Sequence, residues 1–214
     1  MSYPEKLVIA LPKGRILDEA MPLVIGAGIH PEAEFDDPHT RLLRFATDHP
    51  HIDIIRVRSF DVATFVAFGA AHFGICGNDV LMEFDYPEIY APLDLGIGRC
   101  RLCIAEPADA RPGSDGRQLR YATKFPNLTR RYLEARGVVA DVIKLSGSVE
   151  LGPLTGLSDR IVDLVSSGET LRQHHLREVE TIFPVSARLC VGRVAAKLRG
   201  DRIDDVISRL RRVI

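Results

Sequence analysis

Short apolar runs alternate with amphipathic stretches along most of this chain. Leu7 to Leu11 (LVIAL) is an apolar run of strand length, ended by Pro12-Lys13-Gly14-Arg15. Ile16, Leu17, Ala20, Met21, Val24 and Ala27 then recur at the i, i+3, i+4 spacing of one helix face, closed by Gly28. Ile52 to Val57 predicts a second strand, after which Ser59 is placed to cap a helix with Val62, Phe65 and Val66 on one side. Phe73 to Cys76 predicts a third, ending at Gly77-Asn78-Asp79 and a short helix. The same grammar continues with strands over Arg99 to Ala105, Arg120 to Thr123, Asp141 to Leu145 and Arg160 to Val165. Helices are expected over Asn127 to Ala135, Val149 to Leu154 and Glu169 to Leu176. A last helix, Asp201 to Val213, takes Asp201 as its cap, carries Ile203, Val206, Ile207 and Leu210 as its stripe, and ends in Arg209, Arg211 and Arg212. This alternation argues for an α/β fold with largely parallel sheets, and Ala108 to Gln118 is a polar surface loop.

The stretch Ile161 to Leu171 (IVDLVSSGETL) adds chemistry to that pattern. An apolar strand carrying one carboxylate, Asp163, runs into a small-residue turn that opens a helix. Unpaired N–H groups and the macrodipole at such a helix start favour an anion. Ser166, Ser167 and Thr170 add hydroxyl donors, and Gly168 permits close backbone approach. Asp163 is placed to accept hydrogen bonds from sugar hydroxyls, so the segment suits a phosphorylated sugar. The alternative is an ordinary strand-turn-helix in which Ser and Thr only cap the helix.

Other junctions carry weaker signals. Lys13-Gly14-Arg15 offers a flexible cation, a permissive glycine and a forked guanidinium after a strand, a set that suits phosphate or pyrophosphate. Gly77-Asn78-Asp79 holds a similar place without a cation, and helix capping explains it equally well. Arg41, Arg44, Arg56 and Arg58 include arginines able to hold a polyphosphate leaving group, alongside others that are solvated strand-face residues. In Ser146-Gly147-Ser148-Val149-Glu150, Glu150 either helps hold a nucleotide or its metal or completes a capping arrangement. His174-His175 lies on a helix, where adjacent positions diverge, which argues against a shared metal. Cys100 and Cys103 form a C-x-x-C within an apolar run, without a second pair at zinc spacing, and read as packed strand thiols.

With 214 residues, 46% of them hydrophobic, the chain can bury roughly 70% of its unfolded surface. Lysine and arginine number 28 against 29 aspartates and glutamates, a net charge of −1, so no nucleic-acid surface is expected and anions must be met by local cations. There is neither a secretory leader pattern nor an apolar run of about 20 residues, so a cytoplasmic protein without membrane association is expected.

Taken together, these motifs resemble the short form of ATP phosphoribosyltransferase, the enzyme that opens histidine biosynthesis. The resemblance runs through LVIALPKGRILDEAMPL, IRVRSFDVATFVAFGAAHFGICGNDVLME and DVIKLSGSVELGPLTGLSDRIVDLVSSGETLR to ETIFPVSARLCV. It implies two α/β domains of the periplasmic-binding-protein type with the active site in the cleft between them. Domain I would comprise residues 1–95 and 184–214, and domain II residues 96–183, with crossings near Leu93 to Gly98 and Thr181 to Ser186. It implies transfer of the 5-phosphoribosyl group of phosphoribosyl pyrophosphate to N1 of ATP, with release of pyrophosphate. Asp163, Ser166, Ser167, Gly168, Glu169, Thr170 and Leu171 are then assigned to the ribose 5-phosphate, with Asp163 on the ribose hydroxyls. Arg15 and Arg41 become the catalytic candidates on the departing pyrophosphate, and Lys13, Arg58, Lys124 and Glu150 further substrate-binding candidates. The family commonly has a basic residue where this chain has Asn78, which puts an anion contact there in doubt.

The implied chemistry needs alignment and charge stabilisation rather than a covalent intermediate. Mg2+ is expected mainly on pyrophosphate oxygens, without a firm protein ligand set. The chain ends at Ile214, directly after its last helix, so a short-form subunit is expected. The resemblance implies a homodimer within a hetero-oligomer containing a regulatory subunit that resembles histidyl-tRNA synthetase. Two other readings share features of the sequence: a non-catalytic two-domain binder of a small anion, and a salvage phosphoribosyltransferase. The latter usually carries two adjacent acids before the loop, whereas Leu164 follows Asp163 here.

Overall fold

The computed structural model describes residues 6–110 and 118–214; residues 111–117 of the polar stretch Ala108 to Gln118 lie outside the described residues. The chain forms two compact units, Met1–Gly98 with Ser186–Ile214, and Arg99–Val185. It passes from the first to the second after Gly98 and returns after Val185.

The first unit contains β1 (Leu7–Pro12), α1 (Arg15–Gly26), β2 (Arg44–Ala46), β3 (Ile52–Val57), α2 (Ser59–Ala67), β4 (Phe73–Gly77), α3 (Asn78–Phe84) and β5 (Ile89–Asp94). The returning chain adds β11 (Ala187–Gly192), α7 (Arg193–Leu198) and α8 (Gly200–Arg211). Its sheet has the order β2-β3-β1-β4-β11-β5. Period-2 alternation divides β1 between two cores. Leu7, Ile9 and Leu11 pack with Ala20 and Val24 of α1 and with Ile203, Val206, Ile207 and Leu210 of α8. Val8 and Ala10 pack with Val62, Ala63 and Val66 of α2. Helices on both faces explain why β1 is a continuous apolar run rather than an alternating one.

The second unit contains β6 (Cys100–Pro107), β7 (Leu119–Thr123), α4 (Pro126–Glu134), β8 (Ala140–Lys144), α5 (Leu151–Leu154), β9 (Arg160–Val165), α6 (Glu169–Gln173) and β10 (Leu176–Val185). Its sheet runs β10-β6-β9-β7-β8. One face carries Leu102, Ile104, Tyr121 and Val162 against Leu128 and Leu133 of α4. The other carries Cys103, Ala105, Ala122, Ile161 and Val165 against Val149 and Leu171.

The α/β expectation holds, but both sheets are mixed rather than largely parallel. In the first, β1 runs parallel to β3 and β4, while β2 and β11 pair antiparallel with their neighbours. In the second, β7 is parallel to β8 and β9, while β6 is antiparallel to β9 and β10. The antiparallel strands β2, β5, β10 and β11 escape a reading built on strand-helix alternation. Two expected caps are also corrected. Ser59 is the first residue of α2, behind Arg58, and Asp201 lies in the first turn of α8, behind Arg199; neither helix has a side-chain cap. The helix after Gly168 stops at Gln173, because Leu176 begins β10. His174 and His175 therefore follow the helix, with His175 at φ 53°. Among the described residues, no helix is long and apolar enough to cross a membrane.

Candidate functional site

In the second unit the site grows from the carboxyl ends of parallel strands. Because β9 lies beside β7, and β7 beside β8, residues distant in sequence reach one edge: Asp163 in β9, Lys124 directly after β7, and Glu150 after β8. Asp163 shares the sheet face of Ile161 and Val165, the face covered by α5 and α6. Burial is the largest influence on its carboxyl and raises its pKa above the usual value. The Lys124 charge and the Leu164 N–H pull it back, and the Glu150 carboxylate raises it further. Asp163 thus feels the charges of both Lys124 and Glu150, and its carboxylate has lone pairs beyond the one the Leu164 N–H meets. Sugar hydroxyls are donors of the kind that would meet them.

Beyond Val165 the chain bends through Ser166, Ser167 and Gly168, and Gly168 stands before α6 at φ 78° and ψ 6°. That left-handed conformation explains the glycine. Ser166, Ser167, Glu169 and Thr170 are exposed, whereas the Leu171 side chain is buried in the unit's core. Leu171 can therefore serve a ligand only through its backbone. The Glu169 carboxylate is hydrogen-bonded by Arg172 and by Gln173 Nε2, the latter at 3.2 Å, and the Arg172 contact chiefly lowers its pKa. Ser167 Oγ accepts the Glu169 N–H at 3.3 Å in a local turn ahead of α6, whose N-cap is Gly168 and which has no side-chain cap, and its own hydroxyl proton remains to donate. Helix α6 is only 5 residues long, so its macrodipole adds little; the anion-binding capacity lies in the loop's N–H and hydroxyl groups.

Arg101 of β6 carries no sequence signal, because it sits in an apolar run and its partners are 65 and 77 residues away. Its Nη1 donates to the Ser166 carbonyl at 3.1 Å, while Nε and Nη2 grip Glu178 at 3.0 and 2.6 Å. Cys103 beside it is a buried thiol, raised by burial and then by Glu178 to a pKa of about 11. Cys100 and Cys103 are both free.

In the first unit Lys13 and Arg15 are exposed around Gly14, which stands at φ 88° and ψ −158° before α1. Arg15 reaches the Gly98 carbonyl at 3.5 Å and Glu19 at 3.7 Å, and Glu19 in turn accepts the Gly98 N–H at 2.7 Å. The four arginines divide. Arg44 donates twice to the buried Asp53, which Lys6 also binds at 3.0 Å. Burial would raise the Asp53 carboxyl, but those hydrogen bonds outweigh it and hold the pKa low. Arg56 stacks on Phe35 and Phe45 at 4.2 and 4.9 Å and donates to the Phe35 carbonyl. Arg44 and Arg56 are thus structural, whereas Arg41 and Arg58 are exposed. Asn78 is structural too: its Oδ1 accepts the Ser186 N–H and its own N–H donates to the Ser186 carbonyl, each at 3.0 Å. Among the described residues, no group of three or more His, Cys, Asp or Glu could hold a metal ion.

Comparison with known proteins assigns the chain. The family model described as ATP phosphoribosyltransferase matches residues 58–212. A protein of that name from Paramagnetospirillum magneticum is 64% identical, over 99% of this chain and 98% of its own length. Among solved structures, the ATP phosphoribosyl transferase (HisG:HisZ) complex from Thermotoga maritima matches with a TM-score of 0.83 and 32% identity, covering 97% of this chain and 98% of that one. A periplasmic sulfonate-binding protein from Methylobacillus flagellatus, at a TM-score of 0.61 and 11% identity over 100% of this chain and 69% of that one, shows the shared fold alone. The fold is thus of the periplasmic-binding-protein type, and the non-catalytic binder is not the favoured reading. The chain belongs to the ATP phosphoribosyltransferase family, whose enzymes transfer the 5-phosphoribosyl group of phosphoribosyl pyrophosphate to N1 of ATP in the first step of histidine biosynthesis.

Proposed function

We propose that the loop Asp163 to Leu171 is the ribose 5-phosphate site of this transferase, with Asp163 on the ribose hydroxyls and Lys124 and Glu150 beside it. The observation that supports this reading is that Asp163, on the strand that feeds the loop, feels the charges of Lys124, after the neighbouring β7, and of Glu150, after β8. Lys13, Arg15, Arg41 and Arg58, all exposed cations, are assigned to the pyrophosphate and triphosphate groups, with Arg15 and Arg41 stabilising pyrophosphate as it leaves. Magnesium supplies charge neutralisation when chelated by pyrophosphate oxygens, a role that needs no compact set of protein ligands.

By analogy with the Thermotoga maritima HisG:HisZ complex, the chain works with a HisZ-like partner; a regulatory role for that partner, a homodimeric arrangement of this chain and a cytoplasmic location are part of the same proposal. Incubating the purified chain with magnesium, ATP and phosphoribosyl pyrophosphate, with and without that partner, tests the whole reading. Pyrophosphate release with a rise in absorbance from the modified adenine is expected. Silence with the partner present overturns it.

A further inference from the structure

We infer that Arg101 is a positioning residue for the phosphate loop, holding the Ser166–Ser167 peptide so that its N–H faces the bound anion. The inference rests on the loop being the ribose 5-phosphate site. Its basis is the geometry of a trans peptide. The described residues contain no cis bond, and across a trans peptide the C=O and the following N–H point in opposite directions. Arg101 Nη1 holds the Ser166 carbonyl at 3.1 Å, so the Ser167 N–H of the same peptide is turned to the other side. Nothing among the described residues accepts from that N–H. The arrangement also keeps a carbonyl oxygen, with its partial negative charge, turned away from a phosphate.

Arg101 is itself held firmly. Glu178 takes two of its edges, and the same carboxylate accepts from Thr181 Oγ1 at 2.7 Å and from Cys103 Sγ at 3.1 Å. A planar guanidinium with five donors in a fixed fork can bridge a carboxylate and a carbonyl at once; an ammonium cannot hold both with the same directionality. Glu178 sits where the β10–β6 pairing shifts register, which lets its side chain reach Arg101 rather than follow the regular ladder. Hydrogen bonds from Arg101, ahead of all other influences, hold the Glu178 pKa at about 2, so the carboxylate stays charged through the working pH range.

The test is calorimetric titration of the full chain with phosphoribosyl pyrophosphate and, separately, with ATP, together with steady-state kinetics in the presence of the regulatory partner. Arg101→Met is expected to weaken phosphoribosyl pyrophosphate on the order of tenfold, the scale of one charge-assisted contact. ATP affinity and kcat at saturating phosphoribosyl pyrophosphate should stay within about threefold, a split that general destabilisation would not produce. Arg101→Lys should recover part of the loss, and Glu178→Gln, which loosens the fork but keeps the arginine, should fall between Arg101→Met and the parent. Thr170→Val probes the loop independently. If Thr170→Val weakens phosphoribosyl pyrophosphate while Arg101→Met and Glu178→Gln do not, the positioning role is wrong and the loop stands. If none of the three changes it, the loop assignment falls and the positioning role with it.

Discussion

Asn78 and Ser186 exchange a pair of hydrogen bonds, each 3.0 Å long, that ties the first residue of α3 to the point where the chain re-enters the first unit. A position weighed as an anion contact is here occupied by a side chain committed to the backbone. Asn78→Ala should therefore cost stability, about 1–3 kcal/mol for a part-buried N–H left without its acceptor. Both substrates' KM values should move less than about threefold. Denaturant unfolding and steady-state kinetics check the two halves; unchanged stability with a raised KM would return Asn78 to the anion site.

Asp163 should reveal a conflict between stability and binding. Its carboxyl has a higher pKa folded than its ordinary value of 3.8, so the folded protein binds that proton more tightly than the unfolded chain does. Stability then falls as pH rises through the interval between 3.8 and the raised value, and the deficit persists at neutral pH. Asp163→Asn should raise Tm at neutral pH, with the gain vanishing below 3.8, while weakening phosphoribosyl pyrophosphate by roughly 1–3 kcal/mol. Thermal melts at two pH values, with titration calorimetry, decide it. A lower Tm for the variant at neutral pH would contradict the sign.

Gly14 is required by its backbone. At φ 88° and ψ −158° it occupies a region open essentially to glycine alone, while a Cβ there would meet nothing within 4 Å. Gly14→Ala should thus cost about 1–3 kcal/mol with no steric clash. Gly147→Ala, equally open but outside the positive-φ set, should be close to neutral. Equal unfolding midpoints for the two variants would refute the backbone argument.

Arg15→Ala should lower kcat on the order of 10²-fold while raising either KM far less, as expected of a donor used chiefly when charge develops on the leaving group. Arg15 is already oriented by Glu19 and the Gly98 carbonyl, so it need not be recruited from solvent. A loss confined to KM would make it a binding residue only.

What could be read from the chain follows how local each feature is. β3 and β9 match their expected ranges to the residue, because each is rich in Ile, Val and Leu, holds only two charged residues, and lies between polar flanks, His51 and Arg58 for β3, Asp159 and Ser166 for β9. β10 was hidden: Arg177, Glu178 and Glu180 interrupt its apolar residues, and Leu176 continues the helical spacing of the preceding segment. β2 has only three residues, of which Phe45 alone is buried, too short a pattern to register. The candidate phosphate loop could be proposed from the sequence because it is contiguous. Arg101 could not, since its contact with Ser166 exists only once β6 lies between β9 and β10.

That same topology bears on synthesis. β11 lies between β4 and β5, yet it leaves the ribosome only after all of Arg99–Val185 has been made. The second unit has every one of its strands before the first does, so its sheet can close without Ala187–Gly192. Meanwhile β4 and β5 wait with open edges that can pair wrongly with another chain. A released chain truncated before Ala187 should therefore yield a protease-resistant second unit beside a first that depends on chaperones to stay soluble.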